Sequence, residues 1–114
     1  MMPCAALIKS AEHFSEDFDR LAWDSRHNST EKWYFIGGMN NTRHVHIHHV
    51  HIDNPKKYDI DWRGFLVIRD VSMDDEMEYR CLAWKAPFQD PEASFVFLSI
   101  RINTGKRLYS PDKN

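Results

Sequence analysis

Residues 66–81 read LVIRDVSMDDEMEYRC and combine two strand patterns with an acidic turn. Leu66 and Ile68 are spaced as inward residues of a strand that runs into this turn. Tyr79 and Cys81 share one face of the following strand, because side chains alternate between the two faces of a strand. The stretch therefore predicts two core strands joined by an acidic corner.

The register L-x-I-x-x-V-x-x-x-D-x-x-x-Y-x-C resembles the E strand, E–F corner and F strand of an immunoglobulin V-like domain. The resemblance implies that the Tyr79 hydroxyl bonds to the corner backbone and that Asp75 meets an arginine below the sandwich. It also implies that Cys4 is the B-strand cysteine and forms a disulfide with Cys81. We therefore expect an all-β immunoglobulin V-like β-sandwich.

The front of the chain departs from this resemblance, because the segment between Cys4 and Trp33 is long. Within Ser10–Trp23, apolar residues recur at helical spacing, namely Phe14, Phe18, Leu21 and Ala22. This pattern predicts a helical insertion near the N-terminus.

Two tryptophans compete for the core position of the C strand. Trp23 has a spacing from Cys4 that is nearer the usual one, but Asp24 and Ser25 after it are not typical of a continuing strand. Trp33 begins a short aromatic strand, which the Gly37-Gly38 turn closes, so we expect Trp33 to be the core tryptophan.

The polar character of the last residues separates them from the domain. We expect the V-like domain to span residues 1–102, and residues 103–114 to form a flexible C-terminal stalk.

Cysteines and glycosylation signals indicate the compartment. The chain has two cysteines, and Asn28-Ser29-Thr30 and Asn40-Asn41-Thr42 are acceptor sequences for N-glycosylation at Asn28 and Asn40. Together they favour the lumen of the secretory pathway or the cell surface, where disulfides persist. No run of about 18 apolar residues occurs, so we expect membrane attachment only through an anchor outside this sequence.

The composition and motifs argue against two functional classes. The formal net charge of -2 argues against a nucleic-acid-binding protein that relies on bulk charge. No nucleophile elbow, phosphate loop or paired-carboxylate pattern occurs, so we expect a non-catalytic protein without a cofactor.

An apolar set on the outside of the last two core strands predicts a binding surface. If Tyr79 and Cys81 point inward, alternation points Leu82 and Trp84 outward. One face of the last strand is also aromatic, and the tip of the hairpin between the two strands adds a further candidate. The predicted contact residues are Leu82, Trp84, Phe88, Phe95 and Phe97. The alternative is that the helix or the tail covers this patch as a second small core.

Five of the seven histidines lie within residues 44–51. Alternation places His44, His46 and His48 on one face of a strand. This spacing allows zinc binding, but no carboxylate lies in the strand to orient the rings, so we expect a polar outward face without a metal. A third interpretation is an interface that responds to pH, because imidazoles become charged in acidic compartments.

The divergent front half, the small size and the two sequons resemble cytomegalovirus immune-evasion glycoproteins. Their ectodomains have a V-like fold and engage class I major histocompatibility (MHC) molecules. The resemblance implies a viral protein-binding ectodomain whose partner is MHC class I or another host cell-surface glycoprotein. A host immunoglobulin-like receptor or adhesion domain is the first alternative, and a small His-rich metal-binding β-protein is the second.

Overall fold

The computed structural model describes residues 1–5, 18–48, 54–103 and 106–112. In this part of the chain the strands are β1 Arg20–Arg26, β2 Tyr34–Asn40, β3 Val45–Ile47, β4 Tyr58–Ile60, β5 Leu66–Ile68, β6 Glu78–Trp84, β7 Glu92–Asn103 and β8 Lys106–Asp112. A 3-10 turn at Met73–Asp75 joins β5 to β6.

All the described strand pairs are antiparallel. One sheet has six strands in the order β3-β2-β1-β6-β7-β8, and the other pairs β4 with β5. Met2 adds a bridge to Leu66, with backbone hydrogen bonds of 2.8 Å in both directions. The predicted all-β class is therefore confirmed, and the N-terminal segment belongs to the layer of β4 and β5.

The core lies between the two sheets and contains the disulfide. Cys4 and Cys81 are bonded and both are buried, with their Cα atoms 5.6 Å apart. Leu66 and Trp23 are also fully buried, and the Trp23 indole N–H donates to the Gly64 carbonyl at 2.9 Å. The disulfide thus joins β6 to the N-terminal segment, as the resemblance implied.

The acidic corner closes one end of the core. The Tyr79 hydroxyl donates to the Asp75 carbonyl at 2.9 Å, as expected. The Asp75 carboxylate is buried and accepts from Lys57 Nζ at 2.6 Å. The expected cation is therefore present, but it is a lysine from the β3–β4 connection instead of an arginine.

The second half of the predicted Ser10–Trp23 helix is wrong. Residues 20–26 form strand β1, and the Asp19 N–H already donates to the Trp84 carbonyl at 2.7 Å. Leu21 and Trp23 alternate toward the core, as in a strand. Leu21 also lies three residues after Phe18, which is a helical spacing, so the short apolar run fits a helix as well as a strand. Residues 6–17, with Phe14, lie outside the described residues.

Trp23 occupies the core position that we expected for Trp33. Strand β1 continues past Trp23 because its pairing with β2 shifts at that residue, and because Asp24 is neutralised by Arg80 at 2.6 Å. Ser25 is buried beside it. Trp33 precedes β2 and lies half-buried on the opposite side of the sheet.

The C-terminal segment also differs from the prediction. Lys106–Asp112 forms β8, which pairs with β7 from Phe97 to Asn103. The polar composition predicted a flexible tail, but strand pairing depends on backbone groups, which β7 offers along its free edge.

Candidate functional site

The outer face of the six-stranded sheet carries the candidate binding residues. In β6, Tyr79, Cys81 and Ala83 are buried, whereas Leu82 and Trp84 are half-buried on the other face. The predicted alternation of this strand is therefore confirmed. The face divides into a groove at one end and an aromatic cluster at the other.

The groove exists because two neighbouring strands carry small residues at matching positions. Ala22 of β1 pairs with Gly38 of β2 on one side and with Leu82 of β6 on the other. Gly38 pairs in turn with His46 of β3, so the row across the sheet is large, small, small, large. The resulting depression has a volume of about 580 Å³.

Gly38 cannot be enlarged without movement of the sheet. A Cβ at this position would lie 2.7 Å from the Leu21 carbonyl oxygen. The groove floor therefore depends on a glycine whose role is the close approach of two strands.

The walls and rim of the groove mix apolar and cationic groups. Trp84 forms one wall, and the Arg20 guanidinium carbon lies 4.3 Å from the centroid of its ring. This distance is within the range of a cation–π interaction. Phe35 forms the other wall, and its ring centroid lies 6.5 Å from that of His46.

An ion pair closes the groove toward the middle of the sheet. The buried Asp24 accepts from Arg80 Nε at 3.0 Å and from Nη2 at 2.6 Å. Asp24 is the only carboxylate among the described residues that line the groove, and Arg80 neutralises it.

The three predicted histidines lie on the exposed edge of this face. His44 is fixed by the turn after β2, where its Nδ1 lies 2.9 Å from the Thr42 hydroxyl. The rings of His46 and His48 are 6.3 Å apart, and both approach Phe35. No group of three His, Cys, Asp or Glu side chains in the described residues is arranged to hold a metal ion.

The aromatic cluster occupies the opposite end of the face and consists of Trp33, Phe95 and Phe97. The Trp33 and Phe95 ring centroids are 6.0 Å apart. Guanidinium carbons of Arg26 and Arg80 lie 4.1 and 4.5 Å from the centroid of the Trp33 ring. Phe95 is 60% exposed and Phe97 44% exposed, so the cluster presents apolar surface to solvent.

The five predicted contact residues therefore do not form one patch. Leu82 and Trp84 line the groove, while Phe95 and Phe97 pair with Arg80 and Glu78 at the other end of β6. Phe88 stands alone at the tip of the β6–β7 loop, where its side chain is completely exposed.

A second cavity of about 480 Å³ lies at the end of the sandwich below the acidic corner. The buried Lys57–Asp75 pair and Tyr58 line it. Burial, assisted by the Asp75 carboxylate, raises the pKa of Tyr58 to about 12. Burial also raises the pKa of Tyr79, with Tyr58 and Asp75 adding to the effect. These hydroxyls stay protonated at neutral pH and support the fold.

Both glycosylation acceptors are exposed and lie at opposite ends of β1. Asn28 follows the end of β1, whereas Asn40 ends β2 beside Arg20. Asn40 Oδ1 accepts from the Thr42 hydroxyl at 2.7 Å, and Asn40 lines the groove. A glycan on Asn40 would therefore stand at the rim of the groove.

Sequence analysis missed the residues that come from β1 and β2. Arg20, Asp24 and Phe35 were not predicted as site residues, because residues 20–23 were assigned to a helix and the pairing of β1 with β2 was not foreseen. Alternation from Trp23 as an inward residue would have pointed Arg20 and Ala22 outward.

Comparison with known proteins adds no identity to this geometry. No protein-family model matches the chain, and a search of curated proteins finds no match either. Within the described residues, the structure contains no helix with the length and apolar character needed to cross a membrane.

Proposed function

We propose that the chain is an immunoglobulin V-like ectodomain that binds a folded host cell-surface glycoprotein, with MHC class I as the first candidate partner. In this proposal the protein is a non-catalytic immune-evasion glycoprotein of the secretory pathway. The outer face of the six-stranded sheet is the binding surface.

The sheet order supports the V-like part of the proposal. A V-type domain adds strands C′ and C″ to the G-F-C sheet. The order β3-β2-β1-β6-β7 has the pattern C″-C′-C-F-G, and β4–β5 corresponds to D–E. The disulfide, the buried Trp23 and the Tyr79 corner bond fall at the matching positions. Residues 6–17, which lie outside the described residues, and β8 are not part of this correspondence.

The observation that carries the binding proposal is the exposed aromatic cluster beside a groove on one continuous face. Aromatic and arginine side chains dominate the binding energy of protein interfaces. Trp33, Phe95 and Phe97 offer such side chains, and Arg26 and Arg80 stack on the first of them.

The partner is identified through binding measurements on the purified chain. Surface plasmon resonance against class I complexes and a panel of other host surface glycoproteins should give saturable binding to one of them. Phe95→Ala should then weaken binding by about 2 kcal/mol, which is about 30-fold, if Phe95 is a hot spot.

Trp62→Ala is the matched control. Trp62 is 59% exposed, close to the 60% of Phe95, but it lies in the β4–β5 connection on the other layer. It should leave affinity unchanged. Full affinity in a folded Phe95→Ala, Trp84→Ala double variant would contradict the proposed surface. Binding to a host adhesion partner in place of class I would favour the receptor alternative.

A further inference from the structure

We propose that the groove binds an acidic segment of the partner protein, and that protonation of the groove histidines, His44 and His46, strengthens this binding at mildly acidic pH. The inference rests on the proposed function, because it specifies the chemistry of the partner and the regulation of the same face. It concerns the groove and not the aromatic cluster.

Charge gives the first argument. Asp24 is the only carboxylate among the described residues of the groove, and it accepts two hydrogen bonds from Arg80, so its charge is neutralised. The Arg20 guanidinium stacks on Trp84 and has no carboxylate partner in the described part of the chain. The groove therefore presents one uncompensated cation, to which a carboxylate is the complementary group.

Shape and polarity give the second argument. The groove floor is Ala22 and Gly38, and the walls are Leu82, Trp84 and Phe35. Apolar walls beside a cation fit a peptide in which Asp or Glu alternates with apolar side chains. A free acidic sugar would leave those walls without apolar contacts, so we favour a protein segment over a sialylated glycan.

The histidines give the third argument. His44 and His46 line the groove, and His48 contacts His46 from the same edge. No side chain of β2 is charged, and Asp59 of β4, the strand that packs on β3, lies 3.6 Å from Arg69. Arg20 and Asp24 are the other charged groups among the described residues that line the groove, Arg80 pairs with Asp24, and the Arg43 guanidinium beside His44 in sequence stacks on Phe18.

The net charge of the groove therefore rises as pH falls. Asp24 and Arg80 cancel, so each protonated imidazole adds to the Arg20 charge. Histidine is the side chain whose charge is most sensitive to mild acidification, whereas a glutamate of the bound segment stays ionised in that range. Binding of an acidic segment should therefore strengthen at mildly acidic pH.

Fluorescence anisotropy of the full chain with labelled synthetic peptides tests the inference. The probes are a peptide of alternating glutamate and leucine, the same peptide with glutamine for glutamate, and 3′-sialyllactose as the sugar. The glutamate peptide should bind about fivefold more tightly at about pH 5.5 than at about pH 7.5. The glutamine peptide should bind more weakly and without this pH dependence.

Variants separate the roles of the cations. Arg20→Gln should weaken binding of the glutamate peptide at both pH values. His44→Gln with His46→Gln should abolish the pH dependence, so that the affinity for the glutamate peptide is the same at about pH 5.5 and about pH 7.5. His27→Gln, an exposed histidine outside the groove, should change nothing.

Several results would overturn the inference: no binding of either peptide, equal binding of both, or a pH dependence that survives in the double histidine variant. If the groove binds 3′-sialyllactose more tightly than the glutamate peptide, the ligand is an acidic sugar and the proposed protein segment is wrong. The proposed function fails separately. If a host glycoprotein binds through Phe95 while Arg20→Gln and the histidine variants bind it normally, the face is right and the groove inference is wrong. If the glutamate peptide binds and host glycoproteins do not, the groove stands and the proposed partner is wrong.

Discussion

The two faces of the six-stranded sheet place chemically identical side chains in opposite roles. Trp23 of β1 is fully buried and donates to the Gly64 carbonyl. Trp84, on the neighbouring strand β6, is half-buried on the outer face and stacks with Arg20. Strand alternation, and not residue type, therefore determines whether an aromatic side chain lies in the core or on the surface.

The same contrast holds for charge. Asp75 lies at the edge of the core and pairs with Lys57, whereas Asp24 pairs with Arg80 on the outer face. The first pair closes the sandwich below the corner. The second separates the groove from the aromatic cluster, so it shapes the surface.

The largest expected effect on stability is the difference between truncating the buried Trp23 and truncating the half-buried Trp84. Trp23→Ala should lower the free energy of unfolding by about 5 kcal/mol, because it leaves a large cavity and an unpaired Gly64 carbonyl. Trp84→Ala should lower it by about 1 kcal/mol or less, because its side chain stays half in solvent. Urea denaturation of both variants measures the contrast, and equal losses would refute the division between faces.

Removing the disulfide should be nearly as costly. The Cys4→Ala, Cys81→Ala double variant should lose about 4 kcal/mol, because the bond closes a long loop in the unfolded chain. Peptide binding by the folded fraction should be unaffected, since the bond lies on the inner side. Intact-mass measurements with and without reductant check that the parent chain contains the bond, and two free thiols in it would contradict the structure.

Loss of the corner hydrogen bond should have a smaller effect. Tyr79→Phe removes the donor to the Asp75 carbonyl and should cost about 1 to 2 kcal/mol. Tyr34→Phe changes an exposed tyrosine near the same end and should be neutral. Thermal unfolding of the pair provides the comparison, and a neutral Tyr79→Phe would show that the corner bond contributes nothing measurable.

Alkaline pH should lower the stability of the fold through Tyr58, which lies on the inner side of the sandwich. The pKa of Tyr58 is raised to about 12 in the folded state, so the native chain keeps a proton that the unfolded chain releases from about pH 10. Stability is therefore full below about pH 10 and falls as the pH rises through about 12. Tyr58→Phe should reduce this slope in denaturation measured across that window, and an unchanged slope would exclude Tyr58 as a contributor.

The prediction of the fold from sequence worked best where local pattern and pairing agree. Residues 66–81 carry strict alternation on either side of a turn, so both strands, the corner bond and the inward cysteine were correctly predicted. The prediction of β1 failed because Leu21 continues the helical spacing from Phe18 and also alternates with Trp23 along a strand. The glycine pair suggested a turn, but between two strands glycine also permits close approach.

The candidate site was only half predictable for a related reason. Leu82, Trp84, Phe95 and Phe97 follow from alternation along their own strands. Their division into a groove and a cluster depends on which residues of β1 and β2 lie beside them, and no pattern within one strand gives that information.

The pattern of side chains along the chain was therefore enough to predict the β class, the inward and outward residues of β6 and β7, and the pair of cysteines available to link the sheets. Packing between distant segments was needed to place Trp23 in the core, to bring Lys57 to Asp75, and to align small residues into a groove. The physical reason is that side-chain periodicity is a local property of the chain. Strand register and neighbour identity arise from contacts between residues that are distant in sequence.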